Sequence, residues 1–139
     1  MVVSLHLILW AEDDDNDALL VWRALRKAEL TSSLIRVKDG KEIIEYLDGS
    51  GCYSDRTQYP LPSILLLDIK MPVKNGFEVL EWKMSQPRFH DLRAVMFSSS
   101  AEDSDRHTAR RLGVNAYFVK PSDSQQMTGI VKSLIQSQT

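Results

Sequence analysis

One cysteine, three histidines and six glycines in 139 residues leave little material for several kinds of chemistry. Cys52 has no partner for an intrachain disulfide, and a single thiol suits a reducing compartment. His6, His90 and His107 do not share metal-ligand spacing with Cys52, which argues against zinc, and none is placed to activate a serine nucleophile. The chain also lacks a glycine-rich loop of the kind that cradles nucleotide phosphates. No apolar stretch approaches the roughly 20 residues that cross a bilayer. The apolar opening, 1–11, has no basic leading segment and runs into five acids among the six residues 12–17, so it reads as a buried strand and not as a signal peptide. With no lipidation pattern at either end, the expectation is a cytoplasmic protein without membrane contact. Charge of one sign is scarce too: 17 basic against 19 acidic residues give a net charge of -2 at pH 7, and no basic stretch interleaved with aromatics occurs, so no nucleic-acid partner is expected.

What the chain does have is strand-length apolar runs alternating with segments of helical period. That pattern predicts five βα units, a parallel sheet covered on both faces and one domain over 1–139, with no output module. Strands are expected near 5–11, 34–38, 63–67, 93–98 and 115–119. The first helix, about 15–29, opens on acids and closes on Arg23, Arg26 and Lys27, complementing its dipole, with Ala18, Val21, Leu25 and Ala28 facing inward. The second, about 41–47, should bury Ile43, Ile44 and Leu47; the third should present Phe77, Leu80 and Met84. The fourth, about 102–112, is polar nearly throughout and the least anchored, while the fifth carries Met127, Ile130, Val131, Leu134 and Ile135 on one stripe. Between Asp48 and Pro62 the Gly, Ser, Tyr and Pro content reads as a surface loop too irregular for an element. Trp10, Trp22 and Trp82 are expected in or beside the core.

Four of the apolar runs end on residues suited to handling a phosphoryl group: Glu12 and Asp13, Asp68, Ser98, and Lys120 followed by Pro121. If these runs are neighbouring parallel strands, their carboxyl ends share the sheet edge where open α/β folds place ligands. Glu12, Asp13 and Asp68 could offer oxygen ligands to a magnesium ion, which would remove a repulsion of about 4 kcal/mol between carboxylates ~4 Å apart at an effective dielectric of 20. Asp14, Asp15 and Asp17 read more simply as helix-opening acids. Asp68 could merely cap the turn marked by Pro72 and Asn75-Gly76, or it could act as a nucleophile toward phosphorus. A surface role is the ordinary fate of a lysine, but Lys120 sits between a buried strand and a proline, which favours phosphate pairing. Ser98 could simply start a loop, and Tyr117 could be packing.

Taken together, Glu12-Asp13, Asp68 with Met71-Pro72 and Gly76, Ser98, and Lys120-Pro121 resemble the receiver domain of two-component response regulators. Ser98 lies 30 positions after Asp68 and Lys120 22 after Ser98, with Gly113 ahead of Ala116-Tyr117. The resemblance implies a doubly wound five-stranded parallel sheet of flavodoxin-like receiver type, order 2-1-3-4-5, with two helices on one face and three on the other. It further implies that Asp68 accepts a phosphoryl group from a sensor histidine kinase. Mg2+ would be held by Glu12, Asp13, Asp68 and the backbone carbonyl of Lys70. Lys120 would pair with phosphoryl oxygens, and the Ser98 hydroxyl and Tyr117 ring would act as the switch. Such a domain is a signalling phosphoacceptor with slow self-dephosphorylation, not a conventional enzyme.

Two features depart from the family's common pattern: serine in place of the frequent threonine at 98, and a cationic Lys70 close to the metal site. The long 48–62 stretch resembles small stand-alone regulators, including those partnered with bacterial phytochrome-type kinases. Output would then pass to a downstream protein or a phosphotransfer partner, with a homodimer through the fourth helix, fifth strand and fifth helix as a further option. Two rivals are a pseudo-receiver interaction module and, less well matched, a haloacid dehalogenase-type phosphatase built on the acid-x-acid pair Asp13 and Asp15.

Overall fold

A computed structural model describes residues 7–27 and 34–136. The expected strand start at 5–6, including His6, and the expected end of the first helix at 28–29, including Ala28, lie outside the described residues. Five strands, β1 (Ile8–Ala11), β2 (Leu34–Val37), β3 (Ile64–Leu67), β4 (Arg93–Ser98) and β5 (Ala116–Val119), alternate with five helices. These are α1 (Asp15–Lys27), α2 (Gly40–Asp48), α3 (Gly76–Met84), α4 (Asp103–Arg111) and α5 (Ser124–Gln136). The strands form one parallel sheet, as the sequence pattern predicts, in the order β2-β1-β3-β4-β5 that the family resemblance implies.

Side-chain alternation along each strand divides the interior in two. Leu9, Ala11, Leu65, Leu67 and Met96 pack with Ile43, Leu47, Val79, Leu80 and Ala109, so α2, α3 and α4 cover one face. Ile8, Trp10, Leu66, Val95 and Phe97 pack with Val21, Leu25, Met127 and Val131, so α1 and α5 cover the other. Strands buried on both faces have no polar side to show, which is why β1 and β3 read as unbroken apolar runs. Trp10 is fully buried and meets the half-buried Trp22 edge-on at 6.1 Å.

The register decides where chemistry can occur. Ala11 pairs with Leu67, so the next residues along, Glu12 and Asp68, leave the sheet side by side. Ser98 pairs with Val119, and the Lys120 N–H donates to the Ser98 carbonyl at 2.8 Å, extending the ladder to the lysine itself. On the far side, the Glu12 N–H donates to Val37 O at 3.0 Å.

Three expectations need correcting. The inner face of α3 is Val79, Leu80 and Lys83; Phe77 is half-buried and Met84 is 54% exposed, because the one-turn 3-10 helix Pro87–Phe89 folds back to set Phe89 against Trp82 at 5.8 Å. In α2, Tyr46 is buried where Ile44 was expected and is only half-buried. The 48–62 stretch is not structureless. It contains a 3-10 turn at Gly51–Tyr53, and Tyr46, Tyr53 and Tyr59 form a ring cluster with centroids 5.0 to 5.9 Å apart. Arg56 reaches back from this stretch to donate to the carbonyls of Tyr46 at 2.8 Å, Leu47 at 2.7 Å and Tyr59 at 3.2 Å, tying the loop to the last turn of α2. The last strand, β5, is partly exposed along its length, as an edge strand must be. The polar α4 buries Ala109 alone among its residues, in line with the weak anchoring expected of it.

Arg56→Ala should therefore destabilise the fold by about 1–3 kcal/mol, the cost of leaving part-buried carbonyls unpaired. Urea unfolding measures this; an unchanged midpoint would mean the loop is not tied to α2 in this way.

Candidate functional site

The carboxyl ends of β1, β3, β4 and β5 meet at one rim. Carboxylate oxygens of Glu12, Asp13 and Asp68 lie within 4.8 Å of one another, with Glu12 and Asp68 buried and Asp13 exposed. Lys120 extends from the end of β5 into this cluster. Its Nζ donates to Asp68 Oδ2 at 2.7 Å and to Asp17 Oδ2 at 2.9 Å, and forms an ion pair with Glu12 Oε1 at 2.6 Å. The Glu12 contact is not aligned as a hydrogen bond, so that buried oxygen has a counter-charge but no donor.

Local sequence explains this placement. Asp14 begins α1 by accepting at Oδ1 from the N–H groups of Asn16 at 2.8 Å and Asp17 at 3.1 Å, which starts the helix immediately after the acidic pair. Arg36 on β2 donates from Nε to the Glu12 carbonyl at 3.0 Å and pairs with Asp15 at 3.0 Å, bracing the strand end. After β3, the chain turns back so closely that a Cβ at Gly76 would collide with the carbonyl of Asp68, and Asn75 then caps α3 through a reciprocal pair of bonds with Glu78. Only glycine fits there. Val73, in the same turn, holds a left-handed φ of 67° while 69% exposed. Such backbone is rare for a β-branched residue.

Electrostatics at the rim are unbalanced. Three carboxylates, those of Glu12, Asp17 and Asp68, pair with the ammonium of Lys120, and the Asp13 carboxylate adjoins Glu12 and Asp68. Burial raises Glu12 above the ordinary carboxylate range, with Lys120 opposing the rise. Burial alone would depress Lys120, but its close contacts with the Asp68 and Glu12 carboxylates outweigh it and hold the ammonium well above its usual value. The lysine is therefore charged at any physiological pH. An all-oxygen donor set that is short of positive charge, with a buried carboxylate oxygen lacking a donor, suits a hard divalent cation such as Mg2+.

Ser98 is buried at 2% exposure beside the cluster, and its Oγ accepts from the Ser100 N–H at 3.2 Å. The Tyr117 hydroxyl donates to the Ser100 carbonyl at 2.8 Å, Ser100 Oγ donates to Asp105 at 2.6 Å, and Arg106 of α4 stacks on the Tyr117 ring at 4.9 Å. A continuous chain of contacts thus runs from the rim to α4. Lys70 is exposed, and with Asp13, Met71 and Pro72 it lines an open cleft of about 460 Å³ at the mouth of the site.

The structure brings together the acid pair, the strand-end aspartate and the lysine that the sequence singled out. It adds Asp17, read from sequence as a helix-opening acid, and Arg36, which carried no sequence signal. Asp15, half of the acid-x-acid pattern, turns to Arg36 and away from Lys120's partners.

Residues 8–132 match the response regulator receiver domain model, and the chain belongs to that family of two-component signalling proteins. It is similar to response regulator Rcp1 of Synechocystis sp., at 28% identity over 128 residues, covering 92% of this chain and 85% of the relative. Among solved structures it resembles the phosphorylated cyanobacterial phytochrome response regulator RcpA, with TM-score 0.80, 31% identity and coverage of 93% of this chain and 91% of the other. The bacteriophytochrome response regulator RtBRR gives TM-score 0.78 at 37% identity, covering 94% and 78%. Among the described residues no helix is long and apolar enough to cross a membrane.

Because ionised Glu12 is disfavoured in the fold, native stability falls as pH rises through its raised pKa. Glu12→Gln should then raise Tm at neutral pH, and the gain should fade as pH drops below the carboxylate range. Thermal scans across pH check this; a gain that grows toward acid would contradict it.

Proposed function

We propose that this receiver is a phosphoacceptor of a two-component relay, in which Asp68 takes a phosphoryl group from a phosphohistidine of a sensor histidine kinase. The observation that carries the reading is the 2.7 Å bond between Asp68 Oδ2 and the Lys120 ammonium at the rim, beside two further carboxylates. In the transfer, an Asp68 carboxylate oxygen forms a bond to phosphorus as the phosphorus–nitrogen bond breaks, and the imidazole nitrogen leaves with that electron pair. No acid or base need act on Asp68. What the step requires is positioning and relief of negative charge.

Lys120 supplies part of that relief by donating to phosphoryl oxygens. Glu12, Asp13, Asp68 and the Lys70 backbone carbonyl would hold Mg2+, which would supply positive charge against the negative charge gathered at the rim. Rcp1, to which this chain is 28% identical with TM-score 0.76, has a structure in a Mn2+-bound form, which supports divalent-cation binding by this chain. The Lys70 ammonium, exposed at the mouth, adds positive charge where the donor approaches.

Phosphorylation replaces the single negative charge of the buried Asp68 carboxylate with the roughly 1.5 to 2 charges of an acyl phosphate. The Ser98 hydroxyl, at the end of β4 on the same rim, would donate to it, and its tie to Ser100 couples it to Tyr117 and Arg106. Contact between Ser98 and the phosphoryl group would shift that chain of bonds and reshape the surface of α4, β5 and α5, where a downstream protein, a phosphotransfer partner or a second copy would read the change. Likeness to phytochrome response regulators supports a phytochrome-type kinase as donor. Slow hydrolysis of the acyl phosphate would reset the domain.

Incubation with Mg2+ and acetyl phosphate should give a phosphate adduct by intact-mass measurement that is lost in Asp68→Asn. No adduct in wild type would favour the pseudo-receiver, and rapid turnover of phosphomonoesters the phosphatase. In Lys120→Ala, Mg2+ should still bind while amide shifts across α4, β5 and α5 no longer respond to acetyl phosphate. A normal response there would remove Lys120 from the pathway.

A further inference from the structure

Asp17 is the carboxylate at the rim to which the proposed chemistry gives no task. It stands in the first turn of α1, with its side chain 39% exposed, and it does not cap the helix, since Asp14 does. Its carboxylate instead bridges to Lys120, a residue 103 positions away. An ammonium has three N–H donors. Asp68 and Asp17 each take one in a hydrogen bond, and Glu12 lies 2.6 Å from the same nitrogen. With three carboxylate oxygens within 2.9 Å of this nitrogen, an incoming phosphoryl oxygen must displace one of them to reach it.

We propose that Asp17 is a positioning residue that competes with the phosphoryl group for Lys120 and thereby slows phosphorylation of Asp68. The proposal rests on the reading of Asp68 as acceptor and Lys120 as partner of the phosphoryl oxygens. Of the three carboxylates, Asp68 is the nucleophile and Glu12 is buried at 1% exposure, so neither can readily relinquish the ammonium. Asp17 can, because water reaches it once it is released. The exchange is balanced: Asp68 oxygen bonds to phosphorus, acetate leaves acetyl phosphate with the bonding pair, and Lys120 trades an Asp17 oxygen for a phosphoryl oxygen without moving a proton. Asp17 also places a negative charge beside the path of a dianionic donor, and removing it lowers that barrier as well. Since α1 packs on α5, the element that follows Lys120, the bridge also fixes how far the lysine can swing.

The test measures the rate of phospho-Asp68 formation from acetyl phosphate at saturating Mg2+. Asp17→Asn and Asp17→Ala should each speed formation by about two- to fivefold, the range set by a part-exposed ion pair. Asp17→Glu should stay close to wild type. Asp15→Asn removes the same charge from the same turn without touching Lys120, and should leave the rate unchanged. With phosphoramidate, a less negatively charged donor, the gain at position 17 should shrink, a dependence that mere loosening of α1 would not produce. An unchanged or slower rate in Asp17→Asn and Asp17→Ala, or an equal gain in Asp15→Asn, overturns the role of Asp17 alone. A wild-type protein that forms no adduct overturns the acceptor reading and this proposal with it.

Discussion

The ammonium of Lys120 lies within 2.9 Å of oxygens from Glu12, Asp17 and Asp68, groups delivered by β1, α1 and β3, while the lysine itself comes from the end of β5. Each of these charges would be costly to bury alone, and pairing with one shared cation is what makes the rim tolerable. The pairing is incomplete. Carboxylates outnumber the cation, one buried oxygen of Glu12 lacks a donor, and burial already raises that carboxyl. A rim held in this state is poised to take up a divalent cation and, with it, an anion. The fold supplies rigidity: β1 and β3, in register from Ile8 with Ile64 to Ala11 with Leu67, allow the carboxylates no room to separate.

That rigidity contrasts with the opposite side of the site. Ser98 is buried, but the segment after it is held by single contacts, from Ser100 to Tyr117, to Asp105 and to the Ser98 hydroxyl itself. The helix that follows fully buries Ala109 alone and meets Ser100 and Tyr117 through the half-buried Asp105 and Arg106. A change of charge at Asp68 meets a stiff wall toward β1 and β3 and a compliant one toward α4. In the proposed reading this asymmetry gives the signal its direction.

Much of this was legible in the sequence, for a physical reason. Strands covered on both faces must be apolar throughout, so their ends are sharply marked, and the residues that break the runs, Glu12, Asp68, Ser98 and Lys120, are those that meet at the rim. Asp17 escaped because acids in a first helical turn have an ordinary explanation, and nothing local connects one to a lysine 103 positions on. Arg36 escaped because its partners are a backbone carbonyl and a distant acid. The inner face of α3 was misassigned because Lys83 is buried while Met84 is exposed, an inversion that hydropathy cannot express. Order in the 48–62 loop was hidden because Arg56 binds main-chain oxygens, which leave no trace in side-chain pattern.

The account depends on the rim accepting a cation and a tetrahedral anion together. A crystal structure of the protein with Mg2+ and beryllofluoride, a phosphoryl mimic, tests this most directly. The account predicts the mimic on Asp68, the metal among Glu12, Asp13 and Asp68, and Lys120 Nζ donating to a fluoride in place of Asp17. A mimic bound elsewhere, or a Lys120 that turns from it, would contradict the account.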